Sequence, residues 1–264
     1  MTTVFIGGGR ITSALVAGLR RAEHLGAIVV HDRNVEKLKA LQRDFGIEVE
    51  LDLRTAAARA DMLMIAVRPS AVTELLDKLA QSAGASPLLA VSLAAGIPLK
   101  KLRSRLGSRV RWARAAPSPI CRIGRGLTAV TFARNLPAPD RKRVRQLFEK
   151  VGPVLEVAES RFDAFNAAYS PGHGYHALAT LAKAAQDKGL DGKTALIAAA
   201  HALADAIFYW RGSGDKLSNL LHEAATPGGT TAATLAAMDA AGYKRVLERG
   251  LEAGIRQARA NARR

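Results

Sequence analysis

Three consecutive glycines, Gly7-Gly8-Gly9, stand between a short apolar run, Val4-Phe5-Ile6, and a segment with apolar residues at helical spacing, Ile11, Leu15, Val16 and Leu19. Strand, glycine turn and helix in that order open a βαβ unit, and the next residues repeat the alternation. Ile28-Val29-Val30 reads as a second strand, Val35 to Phe45 as a second helix and Ile47-Glu48-Val49 as a short third strand. Met62 to Val67 is wholly apolar, as befits a strand covered on both faces of a parallel sheet. Leu88 to Ser92 follows another helical stretch, and Pro153 to Val157 is the last convincing strand. The pattern predicts an α/β fold, a Rossmann-like doubly wound parallel sheet, followed by an all-α C-terminal part.

From Arg161 the chain is rich in Ala and Leu at helical spacing, broken at Pro171-Gly172, Gly189 to Gly192, Gly212 to Gly214 and Pro227-Gly228-Gly229. Four or five helices are expected there, with the domain boundary near residue 158: 1–158 for the sheet domain and 159–264 for the helical one. The helical part is small and apolar, so its helices are expected to pack against a second copy of the chain.

Composition narrows the class. With 48% hydrophobic and 23% charged residues the chain can bury a core and is not a disordered tail. Its one cysteine, Cys121, can form neither an internal disulfide nor a zinc site, and a lone thiol of this kind usually fills apolar space. A strand beginning at the third or fourth residue leaves no room for a signal peptide, and charges break every apolar run before about 18 residues. A soluble cytoplasmic protein with no membrane partner is expected. The net charge of +16 is concentrated in the sheet part, where Lys100 to Arg145 holds 14 basic residues against Asp140 alone. Such a run reads either as a solvated face or as a field that attracts a phosphorylated cofactor and an acidic substrate. No recognised or aromatic-interleaved motif accompanies the charge, which argues against nucleic acid.

The glycine loop has the context of a dinucleotide fingerprint. Gly7 permits the tight turn, Gly9 lets the backbone approach a pyrophosphate at the helix N-terminus, and Asp32 ends the second strand about 20 residues on. Thr12 stands where a third glycine is usual. Asp32 suits a ribose hydroxyl and therefore NAD; Arg33 and Asn34 suit a 2′-phosphate and therefore NADP, which the positive charge favours, with NAD possible.

Three further motifs accompany this loop: Ala66-Val67-Arg68-Pro69, Val91-Ser92-Leu93-Ala94-Ala95-Gly96-Ile97 and Ala225-Thr226-Pro227-Gly228-Gly229-Thr230-Thr231. Together they resemble pyrroline-5-carboxylate reductase, collinearly from Val4 to about Arg256. The resemblance implies NADP-dependent reduction of the cyclic imine 1-pyrroline-5-carboxylate to L-proline, the last step of proline biosynthesis, by a homodimer or higher homo-oligomer. It implies that Gly7, Gly8, Gly9, Arg10, Ile11, Asp32, Arg33, Asn34, Ala66, Val67, Arg68 and Pro69 contact the cofactor. It places the small anionic imino-acid substrate against Thr226, Pro227, Gly228, Gly229, Thr230 and Thr231, with Ser118. Backbone N–H groups at a helix start would hold the substrate carboxylate, and the Thr231 hydroxyl would face the imine nitrogen. The same residues also read as an ordinary N-cap and first turn, Thr as cap and Pro at the first helical position.

Departures from the family pattern are internal. Ser118 and Pro119 replace an asparagine and a threonine, Leu53 replaces a cofactor-side asparagine, and the segment opening the first long helix reads Ser170-Pro171-Gly172-His173-Gly174-Tyr175-His176. Ser170 survives as a candidate catalytic hydroxyl beside Thr231. His173 and His176 are candidate proton donors or helix-start residues, and without a third ligand they predict no metal site. The departures leave open a different small imine or keto acid, or a cofactor-binding protein without turnover. Lys183 lies too far along its helix for a 3-hydroxyacid dehydrogenase lysine.

Overall fold

A computed structural model describes residues 1–81 and 88–263 of the chain. They form two units, one comprising Met1–Ala168 with the segment from Gly254 onward, the other Tyr169–Ala253.

The first unit begins with β1 (Thr3–Ile6), α1 (Arg10–Arg21), β2 (Ile28–His31), α2 (Val35–Phe45) and β3 (Glu48–Val49). It continues through α3 (Leu53–Ala58), β4 (Met62–Ile65), α4 (Pro69–Ala80), β5 (Leu88–Ser92) and α5 (Leu99–Leu106). It is completed by β6 (Val110–Pro117), β7 (Thr128–Phe132), α6 (Ala138–Glu149), β8 (Val154–Glu156) and α7 (Glu159–Ala168). The strands form one sheet in the order β3-β2-β1-β4-β5-β6-β7-β8. Phe5 of β1 lies opposite Val30 of β2 and Met64 of β4, all in parallel register. The expected doubly wound Rossmann-like sheet is present, with one reversal: β7 runs antiparallel to β6, and β8 parallel to β7. A parallel return needs a crossover helix; only a short 3-10 turn, Pro119–Ile123, separates β6 from β7.

Alternation along each strand divides the core into two layers. Phe5, Val30, Met64, Val91 and Ala115 pack with Leu15, Leu38, Val144 and Phe148 of α1, α2 and α6. Val4, Ile6, Val29, Leu63, Ile65 and Trp112 pack with Val72, Leu76, Leu99 and Leu102 of α4 and α5. The sequence reading passes over β6 and β7. In β6, Arg111 and Arg114 interrupt an apolar run, yet Arg114 is buried beside Trp112 and Ala113. Its guanidinium lies 3.4 Å from Glu159 and 3.3 Å from Asp163 of α7, 4.6 Å above the Phe162 ring. Glu159 also accepts the Leu99 N–H at 2.6 Å, so one buried cation ties together β6, α7 and the start of α5.

The second unit holds α8 (Pro171–Gln186), α9 (Gly192–Ser213), α10 (Leu217–Ala224), α11 (Thr230–Ala240) and the start of α12 (Tyr243–Arg263). With α7, six helices follow residue 158 among the described residues, one more than the upper expectation. The additional break falls at Ala241-Gly242, where a lone glycine in an Ala-rich run gave no stop signal. The buried hydrophobic side chains of this unit are alanines: Ala182, Ala195 and Ala199. Ile207, Phe208, Tyr209 and Trp210, consecutive on α9, are all exposed. Four successive helical positions span the whole circumference, so this turn of α9 is apolar on every side. No helix among the described residues is long and apolar enough to cross a membrane.

Candidate functional site

The glycine loop lies where β1 ends, beside the ends of β2 and β4. In this strand order it is the switch point at which open α/β sheets bind ligands. Gly7 has φ +111°, and a Cβ there would meet the Ala66 carbonyl oxygen at 2.6 Å. Its N–H donates to the His31 carbonyl at 2.7 Å, and the Ala66 N–H donates to the Ile6 carbonyl at 2.9 Å. Thr12, at the third fingerprint position, is buried and donates its hydroxyl to the Gly7 carbonyl at 2.5 Å. The departure from glycine therefore adds a pin under the loop. Gly9 is the N-cap of α1; no side chain caps the helix and its first turn carries no acid. Beyond Gly9 and its chain neighbours, no atom of the described residues lies within 4 Å of where a Gly9 Cβ would stand. Open space above uncapped N–H groups fits a dinucleotide pyrophosphate.

The other expected cofactor residues gather at the same edge. Asp32 accepts the Gly8 N–H at 2.7 Å and the Asn34 N–H at 2.8 Å, bracing the loop against β2. Asn34 caps α2 by accepting the Lys37 N–H at 3.1 Å, while Arg33 is exposed. Arg68 precedes α4, whose first position is Pro69 and whose N-terminus also lacks a side-chain cap.

Ser118 closes β6 and is buried; its Oγ accepts the Ile120 N–H at 3.2 Å, which leaves the O–H to donate. Pro119 starts the 3-10 turn, whose Cys121 lies wholly within the core, and burial pushes its thiol up to about 12. The next residue, Arg122, turns outward and donates to the Ser13 hydroxyl of α1 at 3.1 Å. Sequence reasoning missed this contact because 109 positions separate the partners and only the fold brings them together.

In the second unit the Thr-Pro-Gly-Gly segment is a turn, not the first turn of a helix. The Gly229 N–H donates to the Thr226 carbonyl at 2.9 Å, with Pro227 and Gly228, φ +79°, at the two central positions. That is the signature of a type II turn. The N-cap of α11 is Gly229, not Thr226, and Pro227 lies outside the helix because a residue with positive φ must follow it. No side chain caps α11, so the N–H groups at Thr230 and Thr231 open onto an exposed surface. Ser170 is the N-cap of α8 and accepts the Gly172 N–H at 3.2 Å, with Pro171 first in the helix. His173 and His176 are exposed on its first turns. Leu53 opens α3 behind the Asp52 cap, and Lys183 pairs with Asp187 at 2.7 Å far along α8.

The profile of a family described as NADP oxidoreductase coenzyme F420-dependent matches residues 2–96. That of pyrroline-5-carboxylate reductase dimerisation matches residues 159–261. A pyrroline-5-carboxylate reductase of Corynebacterium melassecola is 31% identical over 259 residues, 96% of each chain. The chain belongs to the pyrroline-5-carboxylate reductase family. Two solved structures from this family share the fold. That of the Coxiella burnetii pyrroline-5-carboxylate reductase has a TM-score of 0.87 at 23% identity, covering 98% of both chains. The Plasmodium falciparum pyrroline carboxylate reductase, solved with NADP bound, has a TM-score of 0.85 at 20% identity, covering 99% of this chain and 98% of that one.

Proposed function

We propose that this chain reduces 1-pyrroline-5-carboxylate to L-proline, the last step of proline biosynthesis, with NADPH as donor and NADH as a possible substitute. The observation that carries this reading is the collinear match to a pyrroline-5-carboxylate reductase at 31% identity over 96% of the chain. Gly7, Gly8, Gly9, Arg10 and Ile11 would hold the pyrophosphate, with Asp32, Arg33 and Asn34 toward the adenosine ribose and Ala66, Val67, Arg68 and Pro69 alongside. The dinucleotide supplies the hydride. The uncapped start of α11 supports a carboxylate site at Gly228, Gly229 and Thr230, behind the Thr226-Pro227 turn. Thr231 would present its hydroxyl to the imine nitrogen. A protonated imine is already a good electrophile, so holding and orienting it supplies most of the acceleration. Ser170 and His173 are the further groups proposed to bear protons, and Ser118 retains an O–H donor for the substrate.

The same reading assigns 1–158 to cofactor binding and 159–264 to dimerisation and substrate binding, in a cytoplasmic homodimer or a larger homo-oligomer. Exposed Ile207, Phe208, Tyr209 and Trp210 support self-association. The decisive test follows NADPH oxidation with added 1-pyrroline-5-carboxylate. Turnover that drops about a hundredfold or more in Thr231→Ala is expected. Tight NADPH binding without imine-dependent oxidation would overturn the assigned reaction.

A further inference from the structure

We propose that Arg122 is a cofactor-binding residue that holds the dinucleotide pyrophosphate beside the start of α1. The inference rests on the dinucleotide reading above and adds a residue that the glycine fingerprint does not contain. Ser13 lies in the first turn of α1: its N–H donates to the Gly9 carbonyl at 3.0 Å, the first bond of that helix. The Arg122 guanidinium donates to the Ser13 hydroxyl at 3.1 Å, so it is anchored to the turn of α1 that directly follows the uncapped N–H groups. No carboxylate pairs with Arg122 among the described residues, and the first turn of α1 carries no acid. A cation fixed by a neutral hydroxyl keeps its full charge and its remaining N–H donors for an anion. Its backbone is equally fixed, because the preceding Cys121 is buried in the core and the following Gly124 N–H closes the 3-10 turn on the Cys121 carbonyl at 3.0 Å. The anion that meets both the helix start and this guanidinium is the diphosphate common to NADPH and NADH. The 2′-phosphate belongs to the adenosine end, beside Arg33.

The test measures dissociation constants of NADPH and NADH by nicotinamide fluorescence for the unaltered protein, Arg122→Ala and Arg122→Lys, with thermal midpoints alongside. Removing the guanidinium should weaken both coenzymes about tenfold, with the difference shrinking at high salt and Arg122→Lys recovering most of it. In turnover, KM for both coenzymes should rise more than kcat falls. A contact that only supported the fold would lower the thermal midpoint without this shared shift. Unchanged affinities in Arg122→Ala would overturn the proposal, as would weakening confined to NADPH, which assigns the residue to the 2′-phosphate. An unaltered protein that binds neither coenzyme would overturn the dinucleotide reading itself, an outcome distinct from a variant that matches a binding parent.

Discussion

The carboxylate of Asp32 already accepts two backbone N–H groups, from Gly8 and Asn34, before any ribose is considered. Hydrogen bonds to a charged acceptor contribute about 1.5–3 kcal/mol each, so Asp32 holds the loop in shape whichever coenzyme the chain takes. Residue type alone could not reveal this double use, since an acid at the end of β2 reads as a ribose ligand. Cys121 shows the opposite case, a reactive atom made inert by its surroundings. With its thiol pushed up to about 12 and its side chain wholly buried, Cys121 stays protonated where a free thiol ionises. An aromatic disulfide reagent at pH 8 should therefore react with the native protein at least a hundredfold more slowly than with the protein in denaturant. The sign of the linkage follows: the raised value favours the fold fully below the ordinary thiol range near 8.5, and that contribution is lost as pH climbs from there toward 12.

Among the elements, α12 is held at its end by a contact of backbone on backbone. A Cβ at Gly96 would stand 2.1 Å from the Ala258 carbonyl oxygen, and Gly96 itself has φ +79°. Backbone on both sides leaves no flexible side chain to yield. Gly96→Ala should cost about 2–3 kcal/mol, read as a lowered thermal midpoint and as faster proteolytic clipping of the segment after Gly254. Sequence made most of the sheet legible, because Val4–Ile6, Ile28–Val30 and Met62–Ile65 announce themselves by apolar runs and the glycines between them. It did not show β6, whose Arg114 looks like a surface residue until Glu159 and Asp163 arrive from α7 to pair with it. Nor could it separate a type II turn from a helix start at Pro227: both accept proline followed by glycine, and the sign of φ at Gly228 decides. Motif spacing found the residues of the candidate site. Their division of labour, such as Thr12 pinning Gly7 and Ser118 capping its own turn, depends on partners that spacing does not encode.

At the scale of the whole molecule, the second unit buries alanines and exposes larger apolar side chains, with Phe208 81% accessible. A fold that leaves a phenylalanine so open within a four-residue apolar turn is arranged for another protein surface. Phe208→Asp should weaken self-association at least a hundredfold, seen by light scattering as a fall in mass at micromolar concentration. Light scattering of the unaltered protein that gives the mass of a single chain would refute the arrangement outright. The path of α12 has a different consequence. Because Tyr169–Ala253 leaves the first unit at one point and rejoins it at Gly254, the second unit is an insertion within the first in chain order. Cutting the gene after the last strand would thus yield a fragment missing its own final piece, the segment whose Ala258 backbone lies against Gly96. Any replacement for the helical part would have to return a closing helix whose backbone fits against Gly96.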